Sequence, residues 1–116
     1  MSTHPSTGNN YHAVVCALCR VHGWPEPVAE RALIPGRRFR CDLVWESART
    51  VVEVNGGAFI GGRHSRGMGQ IKDWEKLNLL ALDGWKVIQV SPKQVTNGEL
   101  VRLLSIAFSG KIGQSA

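Results

Sequence analysis

Apolar residues recur at helical spacing from Tyr11 through Val14, Val15, Leu18 and Cys19, which predicts a helix that Gly23 and Pro25 bring to an end. Residues 27–33 predict a second, short helix, stopped by Pro35-Gly36. The period then shortens to that of a strand. Residues 39–45 and 49–54 predict two strands, separated by the polar Glu46-Ser47-Ala48-Arg49. Residues 55–69 form a long loop with glycines at 56, 57, 61, 62, 67 and 69, and loops of that length in small domains tend to be functional or disordered. Helical spacing returns over residues 70–83, with Ile71, Trp74, Leu77 and Ala81 on the face expected to be buried and Gly84 placed to close the helix. Residues 86–90 predict a β-branched strand, Pro92 follows it, and residues 99–108 predict a closing helix. Residues 1–9, rich in Ser, Thr and Asn, are expected to be a disordered tail, with residues 10–116 forming one domain without a repeat or linker.

This order predicts an α/β fold, a mixed central sheet flanked by helices, with a hairpin for its first two strands and a right-handed helical crossover to the last. The hairpin register carries chemistry. With a loop of two or four residues centred between Ser47 and Ala48, Trp45 faces Thr50 and Asp42 faces Glu53, whereas a three-residue loop would break that pairing. Directly opposed Cβ atoms lie about 4.5 to 5.5 Å apart, where like charges destabilise unless something neutralises them. Arg40 or Arg49 could do so on an exposed face, and so could a divalent cation. Both carboxylates interrupt otherwise apolar runs, where charge is expensive, and this favours the site over the solvated face. Asn55 lies two residues beyond Glu53 on the same face, and the Val54 carbonyl lies between them.

Charge adds a partner. Fourteen Lys and Arg against nine Asp and Glu give a net +5 and a pI near 9.6 over 116 residues, so an anionic partner is the first expectation. The basic residues cluster: Arg31, Arg37, Arg38 and Arg40 fall close together, and Arg63 and Arg66 flank His64 in the glycine-rich loop. Three cysteines, an odd number, point to a reducing cytoplasm rather than secretion. No segment approaches the length of a membrane span. Cys16, Cys19 and His22 with Cys41 could be read as zinc ligands, but their spacing along one helix suits a tetrahedron poorly, and buried structural cysteines are the preferred reading.

The run Arg37-Arg38-Phe39-Arg40-Cys41-Asp42-Leu43-Val44, followed by Val51-Val52-Glu53-Val54-Asn55-Gly56-Gly57, resembles the PD-(D/E)XK nuclease superfamily. The continuation through Gly62-Arg63-His64, Asp73-Trp74-Glu75-Lys76-Leu77-Asn78 and Gly84-Trp85-Lys86-Val87 is similar to small phage and bacterial endonucleases of the Holliday-junction-resolving and very-short-patch-repair types. The resemblance implies a restriction-endonuclease-like fold and a metal-dependent phosphodiester hydrolase acting on branched or duplex DNA and leaving a 3′-hydroxyl. It implies Asp42, Glu53 and the Val54 carbonyl as ligands of Mg2+ or Mn2+, and Glu30 as an accessory acid on the short helix before the strands.

Asn55 departs from the motif, which has lysine there. Lysine moved to the following helix would be Lys72 or Lys76, yet the helical wheel puts both opposite Trp74 and Ala81, which favours a solvated or DNA-facing role. His64 is either a ligand or water-orienting group, since imidazole titrates near neutrality, or a surface histidine. Arg37, Arg38, Arg40, Arg63 and Arg66, with Lys72 and Lys76, are expected to contact phosphates without reading bases. A junction needs two cuts, so a homodimer would suit it. A repair-type nicking enzyme acting as a monomer, and a nuclease-like DNA-binding or assembly module that has lost catalysis, are the alternatives.

Overall fold

The predicted hairpin organises the molecule. In a computed structural model, which describes residues 7–55 and 68–110 and the side chains of 11–55 and 74–110, β2 (Cys41–Trp45) runs antiparallel to β3 (Thr50–Val54). Leu43 pairs with Val52, Val44 with Val51 and Trp45 with Thr50, the register expected for a four-residue loop. Glu46 to Arg49 close that loop: the Arg49 N–H donates to the Glu46 carbonyl at 3.1 Å, and Arg49 takes a left-handed φ of 48° to turn the chain back into β3.

A four-stranded mixed sheet grows on either side of the hairpin, in the order β1-β2-β3-β4. Helix α2 (Met68–Leu82) carries the chain from β3 to β4 (Lys86–Val90), which lies parallel to β3. On the other side, β1 (Val28–Arg31) pairs antiparallel with β2. This corrects the short helix expected over residues 27–33. Pro25 and Pro27 push Trp24 and Glu26 toward extended geometry, so the chain arrives at residue 28 already extended, and Val28 is β-branched. The open edge of β2 then offers backbone partners that a helix of only seven residues could not replace.

Both sheet faces are covered, which explains why the strands read as nearly continuous apolar runs. On one face Leu43, Trp45, Val52, Val54 and Val90 pack against Val15 and Cys19 of α1 (Thr7–His22), Val95 of α3 (Pro92–Thr96), and Leu100 and Leu104 of α4 (Glu99–Ser109). The indole N–H of Trp45 donates to the Pro25 carbonyl at 2.7 Å. On the other face Val44 and Val51 join Cys41, Trp85 and Leu80 of α2.

Three helices differ from expectation. Helix α1 begins at Thr7, within the residues expected as tail, while residues 1–6 lie outside those described. Helix α3 was missed, although Ser91-Pro92-Lys93-Gln94 spells its start: Ser91 and Gln94 form a capping box with Pro92 in the first turn. Helix α2 presents a different face from the one expected. Leu80 is fully buried, whereas Trp74 is 53% exposed and Ala81 is exposed. The sheet beneath α2 carries carboxylates, so the face that fits it includes a lysine, which an apolar wheel counts against burial.

Candidate functional site

One step beyond the Leu43↔Val52 pair, the hairpin sets Asp42 opposite Glu53. On the β1 side, the pairs Ala29↔Leu43 and Arg31↔Cys41 bracket Glu30 opposite Asp42. On the β4 side, Glu53 is in register with Gln89. Glu30, Asp42, Glu53 and Gln89 therefore form one row across four strands. Glu30 sits on a strand rather than on the helix expected for it, and its φ of 56° places a non-glycine residue in the left-handed region, a conformation that costs about 1 to 2 kcal/mol. Strain of this kind is concentrated at functional sites.

Asp42 and Glu53 are locked to each other's strands. The Val54 N–H donates to Asp42 Oδ2 at 2.9 Å, and the Asp42 N–H donates to Glu53 Oε2 at 3.1 Å. The cation beside them comes from α2. Lys76 Nζ lies 2.6 Å from Glu53 Oε1 and 2.7 Å from the Arg40 carbonyl, and the Lys76 and Glu53 side chains are only 16% and 12% exposed. Lys76 is thus turned into the site, which corrects the solvated placement drawn from the helical wheel.

Burial pushes the Asp42 carboxyl above the usual carboxylate range, opposed by the Val54 N–H and by Lys76 and reinforced by Glu30. Burial also pushes Glu53 up, and the neighbouring Lys76 charge is the main opposing influence. Beneath them, burial and the Glu53 charge push the Cys41 thiol up to about 12, so it stays protonated and is a packing group.

Neither arginine considered as a neutraliser forms an ion pair with Asp42 or Glu53 among the described residues. Arg49 reaches the Asp83 carbonyl and carboxylate at the opposite end of β3 and lies 4.3 Å from the Trp85 ring centroid. Arg40 contributes its carbonyl to Lys76, and its side chain is exposed. Arg37 pairs with Glu75 of α2, and Arg38 is exposed. Asn55 donates from its backbone to the Val90 carbonyl at 2.8 Å and from Nδ2 to Gln89 Oε1 at 3.0 Å. Lys72 lies on α2 with its side chain outside the described residues, and Arg63, His64 and Arg66 lie outside them altogether.

No family model, curated protein or solved structure matches this chain.

The zinc alternative does not assemble. Cys19 packs in the core on one face of the sheet and Cys41 in the core on the other, while His22 is exposed and stacks on Trp24 with ring centroids 4.7 Å apart. Cys16 instead lies 3.4 Å from His12 Nε2, which donates to the Pro27 carbonyl. Sequence reasoning missed His12, and it missed Gln89, whose place beside Glu53 depends on a parallel register that no local pattern encodes. Among the described residues, no three His, Cys, Asp or Glu side chains are grouped to hold a metal ion, and no helix is long and apolar enough to cross a membrane.

Chemically, the site offers two strand-anchored carboxylates and one ammonium. Asn55 N donates toward β4, whereas Val54 N–H points to the Asp42 side. N–H and C=O of one strand residue leave on the same side, so the Val54 carbonyl also points toward β2, the strand that carries Asp42. Carboxylate and carbonyl oxygens are hard donors, and Mg2+ takes one or two carboxylates while keeping several waters. This donor set fits such an ion.

Proposed function

We propose that this chain is a divalent-cation-dependent DNA endonuclease with a restriction-endonuclease-like fold, acting on branched DNA as a homodimer. The observation that carries the reading is the row of Glu30, Asp42 and Glu53 with the Lys76 ammonium 2.6 Å from Glu53. Lys76 supplies from α2 the cationic donor that Asn55 lacks in the strand motif.

Asp42, Glu53 and the Val54 carbonyl would hold Mg2+ or Mn2+, which when bound acidifies water and offsets charge on the phosphate. Their mutual backbone hydrogen bonds fix the carboxylates before substrate arrives, so little reorganisation is needed. Lys76 Nζ donates to a phosphate oxygen or to the attacking water. Arg38 and Arg40, exposed on residues 37–40, position the DNA backbone beside the site. Arg37 does so after exchanging Glu75 for phosphate.

A cleavage panel of linear, nicked, flapped and four-way DNA in Mg2+ tests the proposal, together with sedimentation. Symmetric paired cuts in the junction and a mass near twice 12.7 kDa are expected. A monomer that nicks linear DNA equally well would replace this reading with a repair-type nicking enzyme. A non-catalytic DNA-binding module is the second reading, favoured by the Asn55 amide being tied to Gln89 where the motif has lysine; DNA binding without cleavage of any substrate would establish it.

A further inference from the structure

The metal-binding reading of Asp42 and Glu53 meets an occupant already in place. Glu53 Oε2 accepts the Asp42 N–H, so the oxygen that faces outward is Oε1, and Lys76 Nζ lies 2.6 Å from it. With both side chains nearly buried, a cation approaching Glu53 at Oε1 enters the sector the ammonium fills. Two cations on one carboxylate oxygen repel strongly where water is scarce.

We infer that Lys76 and a divalent cation compete for Glu53, so that the ammonium closes the site in the metal-free protein and leaves Glu53 when the ion binds. This inference rests on the proposed metal-dependent function. A single positive charge answers only part of the demand set by two adjacent carboxylates, and a divalent ion answers more of it, so the exchange runs forward when metal is supplied. The displaced side chain has somewhere to go. Its second partner, the Arg40 carbonyl at 2.7 Å, lies at the start of β2, and the Phe39 ring centroid is 5.8 Å from Nζ. Lysine carries its charge on a flexible four-carbon stem, so Nζ can release Glu53 while keeping these contacts. It would then face the exposed Arg38 and Arg40, where a DNA phosphate is expected. Metal binding would thereby deliver the ammonium to the substrate, coupling the two ligands.

Two measurements test this without relying on cleavage. Calorimetric titration with Mn2+ compares the wild type with Lys76→Met and with Glu53→Gln. Removal of the competing charge should make Lys76→Met bind Mn2+ about tenfold or more tightly than wild type, while Glu53→Gln should bind more weakly than either. Acetylation footprinting of the wild-type protein reads the ammonium directly: Lys76 should be protected without metal and become several-fold more reactive in saturating Mg2+, with the exposed Lys93 unchanged. Should Lys76→Met fail to fold, the footprint decides. Metal binding of equal affinity in wild type and Lys76→Met, or a Lys76 reactivity that metal leaves unchanged, would overturn the competition while leaving the metal site standing. No Mn2+ binding by wild type or Lys76→Met would overturn both the competition and the metal-dependent function.

Discussion

Replacing Lys76 with Met should destabilise the protein in a way that pH can switch. The substitution keeps most of the side-chain volume but removes the ammonium from Glu53 and from the Arg40 carbonyl. Glu53, 12% exposed, is left with the Asp42 N–H as its donor and the Asp42 carboxylate as a like-charged neighbour. Breaking a buried ion pair on one side costs about 3 to 5 kcal/mol, and the residual exposure of both groups puts this pair at about 3 kcal/mol near neutral pH. The sign with pH follows from burial. Glu53 already titrates above its unfolded range, and loss of Lys76, which holds it down, raises it further. The native state then binds more protons than the unfolded state between the unfolded and folded values, so stability falls as pH rises through that interval and is regained on acidification. Urea denaturation at pH 7.5 and pH 5 measures this, with Lys76→Met/Glu53→Gln as the companion variant that removes the stranded charge. The defect should shrink at the lower pH and largely disappear in the double variant. A loss below about 1 kcal/mol, the range of an exposed pair, or one equal at both pH values and uncorrected by Glu53→Gln, would refute the buried-pair argument.

Asp42→Asn and Glu53→Gln should each abolish DNA cleavage while leaving DNA affinity, measured by fluorescence anisotropy, within a few-fold of wild type. Arg38→Ala should lower the slope of log affinity against log salt by about 0.7 to 0.9, and Arg37→Ala by less because Glu75 already pairs with Arg37; neither should change sequence preference in a competition assay. Leu80→Ala should cost about 2 to 5 kcal/mol in urea unfolding, because Leu80 is fully buried where α2 meets the sheet. Ser91→Ala should cost about 1 kcal/mol by the same assay, through loss of the α3 cap.

The parts of the fold that were legible are those where local chemistry and tertiary packing agree. The polar Glu46 to Arg49 segment between two apolar runs located the hairpin, and an even-length loop there gives the register that pairs Asp42 with Glu53, whereas the loop length itself was left open by the sequence. Strand β4 and helix α4 were marked by β-branched residues and by a clear apolar stripe. Strand β1 was misread because its four residues carry too short a pattern to show a period, and its conformation is decided by the open edge of β2. Helix α2 was found but turned the wrong way. Its inner face combines Leu80 with Lys76, a lysine buried for the sake of Glu53, and a wheel that scores only hydrophobicity placed Trp74 there instead. Asp42 and Glu53 were visible as charge within apolar runs, whereas Glu30 entered only through the family resemblance and was expected on a helix. Gln89 was not visible, since its neighbour Glu53 lies on a strand 36 positions earlier in the parallel register.

Supercoiled plasmid bearing an extruded cruciform, and so a four-way junction, incubated in Mg2+ with the wild-type protein and, side by side, with Asp42→Asn tests the catalytic assignment most directly. Wild type should nick or linearise the plasmid, EDTA should stop the reaction, and Asp42→Asn should leave the DNA supercoiled under the same conditions. Equal cutting by both proteins, or intact plasmid with wild type in Mg2+ and in Mn2+, would contradict a metal-dependent nuclease centred on Asp42 and Glu53.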